Sequence, residues 1–204
     1  MNGHDEDRDM VFLTGTYRLW TPPEAAECEL DLGCGSGSFA AQLAQRHPER
    51  RILAADVMVG RLRKLVRRIR RENLANLTVL RTEARHLVGL ALPDGCLDRI
   101  HLLCPDPWPK GRHRGHRLLA SDFTAQLHRV LKRDGVFHFS SDDRAYCDAV
   151  EEVLDSSALF VPVGVPADLA GMTSDFERRW IAEGRSVRHL FFRRLPLPPK
   201  TIGH

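Results

Sequence analysis

The sequence predicts an α/β fold, a doubly wound and mostly parallel sheet with helices on both faces. Three observations carry that expectation. Apolar runs of strand length alternate with stretches of helical apolar spacing along most of the 204 residues. A glycine cluster, GCGSG, stands between the first such run and the first such helix. The run LDRIHLLC suits a strand covered on both faces, as strands of parallel sheets are.

Taken in order, Cys28 to Leu32 is a short apolar strand, and SFAAQLAQRH after the glycines has the spacing of a helix that stops before Pro48. RILAADV is a second strand, Met58 to Asn73 a long helix, and NLTVLR a third strand. A short helical segment, Ala84 to Leu90, leads into LDRIHLLC as the fourth. The loop PDPWPKGRHRGHR interrupts there. Leu118 to Leu131 is an amphipathic helix, Asp134-Gly135 a turn, GVFHFSS a fifth strand, and Arg144 to Leu154 a helix. A strand near Leu159 to Val163, a Pro/Gly loop, a helix from Ser174 to Ala182 and a closing strand SVRHLFFRR complete the order. There is no internal repeat, so we expect one domain over 1–204, with 1–26 as an N-terminal extension and 196–204 as a Pro-rich tail.

Composition narrows the classes. With 43% hydrophobic and 28% charged residues the chain reads as an ordinary globular protein, and no apolar run is long enough to span a bilayer. MNGHDEDRDM lacks the apolar core of a signal peptide, so the expected compartment is the cytoplasm. Five cysteines, an odd number without a CxxC, point to reduced thiols rather than to a disulfide framework or a zinc knuckle. The net charge of +3 says little about a nucleic-acid partner, but its distribution says more. Between Arg61 and Arg71, seven Lys and Arg residues occur with no acid among them, while Leu62, Leu65, Val66 and Ile69 form an apolar face. Such a helix repels itself, and a polyanion such as RNA would offset the repulsion.

In doubly wound sheets ligands bind at the carboxyl ends of the strands where the strand order reverses. Asp31, Gly33, Gly35 and Gly37 stand where the first strand turns into the first helix, and glycines there let backbone approach a ligand closely. Ser38 occupies a position where the dinucleotide fingerprint needs glycine, so a pyrophosphate is not expected. Asp56, ending the second strand, is placed either to accept from ribose hydroxyls or to cap the following helix. Glu83, after the third strand, either borders an adenine or is a solvated surface residue. In the loop after the fourth strand the prolines would hold Asp106 rigidly, and Trp108 offers a flat face for a base or a contribution to the core. Lys110, Arg112, Arg114 and Arg117 can neutralise phosphates, joined at lower pH by His113 and His116. No Cys or carboxylate at suitable spacing completes a metal-ligand set with these histidines, so no metal is expected.

DLGCGSG resembles the first motif of the class I methyltransferase family. That resemblance implies a Rossmann-like, seven-stranded sheet and S-adenosylmethionine as cofactor. PDPWPK followed by Arg112-His113 and Arg117 is similar to the tRNA (guanine-N7)-methyltransferase family of the bacterial single-subunit type, and SSDDR and SDFERRW followed by Gly184 resemble two further segments of it. The resemblance implies cofactor contacts at Asp31, Gly33, Gly35, Gly37, Asp56, Glu83 and Asp106. It implies substrate contacts at Lys110, Asp142, Ser174, Asp175, Phe176 and Glu177, to which the basic loop adds Arg112, His113 and Arg117. Asp106 and Asp142 are expected to be catalytic by orienting the base and stabilising the charge that develops on its ring. The partner would be tRNA, the target N7 of variable-loop guanine 46, and the protein a monomer or homodimer. Serine replaces the family's usual threonine at Ser141 and Ser174, and the residues before Cys28 match no longer N-terminus of the family. Two other readings remain open: an amino-methyltransferase, whose motif occupies the same loop, and a noncatalytic RNA-binding relative.

Overall fold

Five consecutive buried residues, Cys28–Leu32 (β2), form the middle of an eight-stranded sheet. The computed structural model describes residues 5–13, 19–105 and 121–197. Around β2 lie β1 (Met10–Phe12), β3 (Arg51–Asp56), β4 (Leu77–Arg81), β5 (Leu97–Leu103), β6 (Leu131–Ser141), β7 (Phe160–Pro162) and β8 (Arg188–Arg194), in the order β1-β4-β3-β2-β5-β6-β8-β7. The pairs from β1 to β6 are parallel, whereas β8 runs antiparallel to both β6 and β7. The order reverses between β2 and β5, which puts the switch point beside the glycine loop.

The alternation of side chains builds two cores. Leu30, Leu53, Ile100, Phe137 and Phe192 point to the face covered by α4 (Ser121–Val130), α5 (Arg144–Ser156) and the turn Leu87–Ala91. Ile52, Ala54, Val79 and Phe191 point to the other, where α1 (Ser38–Arg46) and α2 (Val59–Glu72) bury Phe39, Leu43, Leu62 and Leu65. The short α3 (Ala84–His86) precedes the turn, and α6 (Asp175–Ala182) leads to β8. Helices thus cover both faces, as expected.

Three expectations need correction. The sheet has eight strands rather than seven, because Met10–Phe12 of the N-terminal extension pairs with Val79–Arg81. The helix expected over Leu118 to Leu131 is described from Ser121 and ends at Val130, since Leu131 already pairs with Leu97 in the sheet. Asp134-Gly135 is therefore not a turn before a strand but an irregularity inside one: the register jumps from Leu131↔Leu97 to Val136↔Arg99, and Asp134 takes φ 62°. Glycine is required next to it, because a Cβ on Gly135 would lie 2.9 Å from the Lys132 carbonyl oxygen.

The basic helix α2 also departs from expectation. Its counter-charge comes from the chain's own N-terminal segment, which folds as a turn over Glu6–Asp9 against it. Arg63 donates twice to Asp7, at 2.9 and 2.8 Å. Arg67 bonds Glu6 at 3.0 Å, and Arg70 bonds Asp9 at 2.7 Å and Asp5 at 2.8 Å. Arg68 and Arg71 share Glu72 at the end of the helix. Only Arg61 and Lys64 of the seven have no acidic partner among the described residues, so self-repulsion no longer demands an external polyanion.

Candidate active site

The carboxyl ends of β2, β3 and β5 meet at the glycine loop, and the amino end of α6 packs against it. Gly33, Gly35 and Gly37 all have positive φ, at 78°, 58° and 72°, so the loop is a run of left-handed turns that side chains would strain. At Gly37 space is lacking as well: a Cβ would come within 2.5 Å of Leu65 on α2. The loop is held from below by Asp56. One of its oxygens accepts from Gly35 N at 2.9 Å and the other from Met58 N at 2.7 Å. The residue at the cap position of α2 is Met58, so Asp56 braces the loop and the helix entry together and is not the formal helix cap.

Asp31 is 2% exposed, and its Oδ2 has no hydrogen-bond partner among the described residues. Burial drives its carboxyl pKa up to about 7; the Ala40 backbone N–H opposes this and the Asp56 carboxylate adds to it. A buried, unpartnered carboxylate oxygen beside a glycine loop at the switch point is what a cationic or hydroxyl-bearing ligand would complete. Glu83 serves as the cap of α3, accepting from Arg85 N at 3.1 Å and His86 N at 3.0 Å, and both its oxygens are engaged there.

Ser174 and Glu177 form a capping box at the start of α6. The Ser174 hydroxyl accepts from Glu177 N at 3.2 Å, and Glu177 accepts from Ser174 N at 3.3 Å. The box seats the helix on the loop: Asp175 N donates to the Ser38 hydroxyl at 2.9 Å, Ser36 donates to Asp175 at 3.2 Å, and Phe176 lies 3.5 Å from where a Gly35 Cβ would stand. Gln42 of α1 adds a bond to Thr173 O at 2.8 Å. These residues enclose a small cavity whose wall includes Asp31, Cys34, Phe39, Leu103 and Phe176.

Asp142 follows β6 with its side chain 5% exposed, in an ion pair with Arg185. The guanidinium of Arg185 sits 4.8 Å over the ring of Trp180 on α6. A cavity of about 490 Å³ opens here, lined by Ser141, Asp142, Arg144, Asp148, Ser186 and Arg188. The structure therefore brings together Asp31, Gly33, Gly35, Gly37, Asp56, Ser174, Asp175, Phe176 and Glu177, and sets Asp142 after β6, two strands over from β2. Asp106, Lys110, Arg112, His113 and Arg117 lie outside the described residues. Sequence reasoning missed Arg185 and also His189, whose Nε2 lies 2.8 Å from Glu177; both lie in segments without motif character and gain meaning only from the acids they meet in space.

The comparisons with known proteins agree with this architecture. A family model described as "Putative methyltransferase" matches residues 25–190. The tRNA (guanine-N(7)-)-methyltransferase of Syntrophotalea carbinolica is 38% identical over 171 residues, 82% of this chain and 74% of that protein. The protein of the same name from Thermotoga maritima is 29% identical and is spanned over only 60% of its length by 88% of this chain. The Caulobacter vibrioides one is 34% identical over 86% of this chain and 80% of its own. Among solved structures, the 16S rRNA methyltransferase KamB superposes with a TM-score of 0.61 at 18% identity, covering 84% of this chain and 89% of that one. The 16S rRNA (adenine(1408)-N(1))-methyltransferase of Catenulisporales acidiphilia, solved with S-adenosylmethionine, gives 0.60 at 19% identity over 98% and 93%. At such identities the structural likeness speaks for the fold alone.

Proposed function

Since the chain belongs to the family of tRNA (guanine-N(7)-)-methyltransferases, we propose that it transfers a methyl group from S-adenosylmethionine to N7 of a guanine in tRNA, at position 46 of the variable loop. The observation that carries the cofactor half is the unpartnered Oδ2 of buried Asp31 beside the left-handed glycine loop. The donor set fits the group. Asp31 would take the ammonium of its amino-acid part, the glycine loop its backbone contacts, and Asp56 the ribose hydroxyls with its remaining lone pairs. Glu83 would border the adenine.

Bound there, S-adenosylmethionine supplies a methyl group on a positively charged sulfur. N7 of guanine carries a lone pair and no proton, so the chain has no general base to provide. Its work is to hold the base in line and exclude water, and orientation of that kind contributes about 7–11 kcal/mol in favourable cases. Asp142, fixed by Arg185, and Asp106 would orient the base and offset the positive charge that grows on its ring. Lys110, Arg112, His113 and Arg117 would meet phosphates, and Phe176 with the capped turn around it would close the site from α6.

Nucleoside mass spectrometry of tRNA incubated with protein and cofactor tests the reading. It predicts 7-methylguanosine, mapped to the variable loop, and a drop of roughly 100-fold or more in rate for Asp142→Asn. Methyl on an exocyclic nitrogen would replace the reading with an amino-methyltransferase.

A further inference from the structure

A line of hydrogen bonds crosses the sheet on the face that carries α1 and α2. Glu29 of β2 meets His101 Nε2 of β5 at 2.9 Å, and His101 Nδ1 meets His138 Nδ1 of β6 at 3.0 Å. His138 Nε2 meets His189 Nδ1 of β8 at 2.9 Å, and His189 Nε2 meets Glu177 of α6 at 2.8 Å. The first three residues are almost fully buried, and the His138 ring stacks on Phe191 at 4.1 Å.

Each of the four links needs one hydrogen, and three neutral imidazoles carry three. Glu29 supplies none. Burial raises its carboxyl, but the bond from His101 and the guanidiniums of Arg99 and Arg50 overcome that and hold it at about 2. With Glu29 ionised, His101 donates through Nε2 and accepts at Nδ1, His138 donates through Nδ1 and accepts at Nε2, and His189 donates through Nδ1. A bare His189 Nε2 then faces a carboxylate oxygen at 2.8 Å, two lone pairs in contact. A fourth hydrogen is required. Burial lowers the pKa of His101 and of His138, so neither ring holds it. That leaves the two groups of the last link, and an imidazole binds a proton more tightly than a carboxylate does. His189, at 24% side-chain exposure, is also the one ring of the three with access to water.

We propose that His189 is an imidazolium that binds ionised Glu177 and so positions α6 on the glycine loop. The pair sits under the capping box, whose next residues touch Ser36, Ser38 and Gly35. Facing it are His138 from β6 and Cys104 from the end of β5, with Arg99 acting on His138 from farther along β5. Arg188, next to His189, is turned to Asp148 and Glu151 of α5. His189 is thus a positioning residue that acts through Glu177, and its link to cofactor binding rests on the methyltransferase reading above.

Nitrogen NMR of the intact protein, labelled in histidine, reads the proton count directly. At neutral pH His189 should show hydrogens on both ring nitrogens, His101 on Nε2 only and His138 on Nδ1 only. In Glu177→Gln the side-chain amide can donate the missing hydrogen, so His189 should become neutral while the fold, checked by the other histidine signals, persists. Calorimetry with S-adenosylhomocysteine supplies the second readout: from neutral to alkaline pH the wild type should lose affinity about threefold more than Glu177→Gln does. A singly protonated His189 in the wild type, or the same pH dependence in both proteins, overturns the proposal. Neither readout uses tRNA, so failure to methylate tRNA would count against the activity and not against the proton.

Discussion

Asp31 illustrates what a single residue contributes. A carboxyl raised to about 7 is half protonated at neutral pH, whereas a bound ammonium favours its ionised form. If Asp31 takes the cofactor's ammonium as proposed, binding releases a proton below pH 7, and affinity is lost as pH falls through that value. Calorimetry with S-adenosylhomocysteine should show affinity falling toward tenfold per pH unit on the acid side, with proton release visible as a dependence on buffer ionisation. Asp31→Asn should bind roughly 10- to 100-fold more weakly, with that acid limb flattened. An unchanged acid limb in the variant would remove Asp31 from the binding site. The sequence marked Asp31 through its distance from the glycines, because a strand end before a glycine loop is a local pattern. Its unpartnered oxygen was illegible, since that depends on what Asp56, α1 and α6 leave unfilled. Arg185 was hidden for the same reason, its partner Asp142 lying at the end of another strand.

Among the elements, α6 gained most from the structure. Resemblance assigns Ser174 and Glu177 to the substrate, yet both side chains are engaged in capping their own helix. The N-cap hydroxyl is worth about 1 kcal/mol, and on a helix of eight residues it decides whether the first turn is formed. Ser174→Ala should therefore speed amide exchange at Glu177 and Arg178 about fivefold, while global stability to denaturant falls by about 1 kcal/mol or less. Equal loss across the whole sheet would show that α6 is not a local unit. Helical spacing marked α1, α2 and α5, each of which buries one continuous face, and unbroken apolar runs marked the central strands, which are covered on both. The exceptions are instructive. β1 is three residues long, too short for any period, and exists through its pairing with β4. Asp134-Gly135 has turn composition, but the ladder to β5 carries the strand through it.

At the scale of the whole molecule, the net charge of +3 conceals an internal neutralisation. Asp5, Glu6, Asp7 and Asp9 occupy arginines that the sequence presents as a bare cationic face. Replacing Asp5, Asp7 and Asp9 together by Asn would release Arg63 and Arg70. Binding to tRNA should then tighten at low salt, and the slope of log affinity against log salt should steepen by roughly 1 to 2, given about 0.7–0.9 per phosphate neutralised. An unaltered slope would mean that α2 faces away from the nucleic acid. Such pairing was illegible because it joins charges some sixty positions apart in the chain. The placement of β8 carries a consequence for biosynthesis. It is the last of the eight strands in sequence, yet it lies between β6 and β7 rather than at an edge. Until Arg188–Arg194 has left the ribosome, β6 offers its free backbone groups to any passing strand, and β7 has no partner in the sheet. Five of the six parallel strands can assemble on the growing chain before β6 follows, but the nascent protein stays open to mispairing until translation has passed β8.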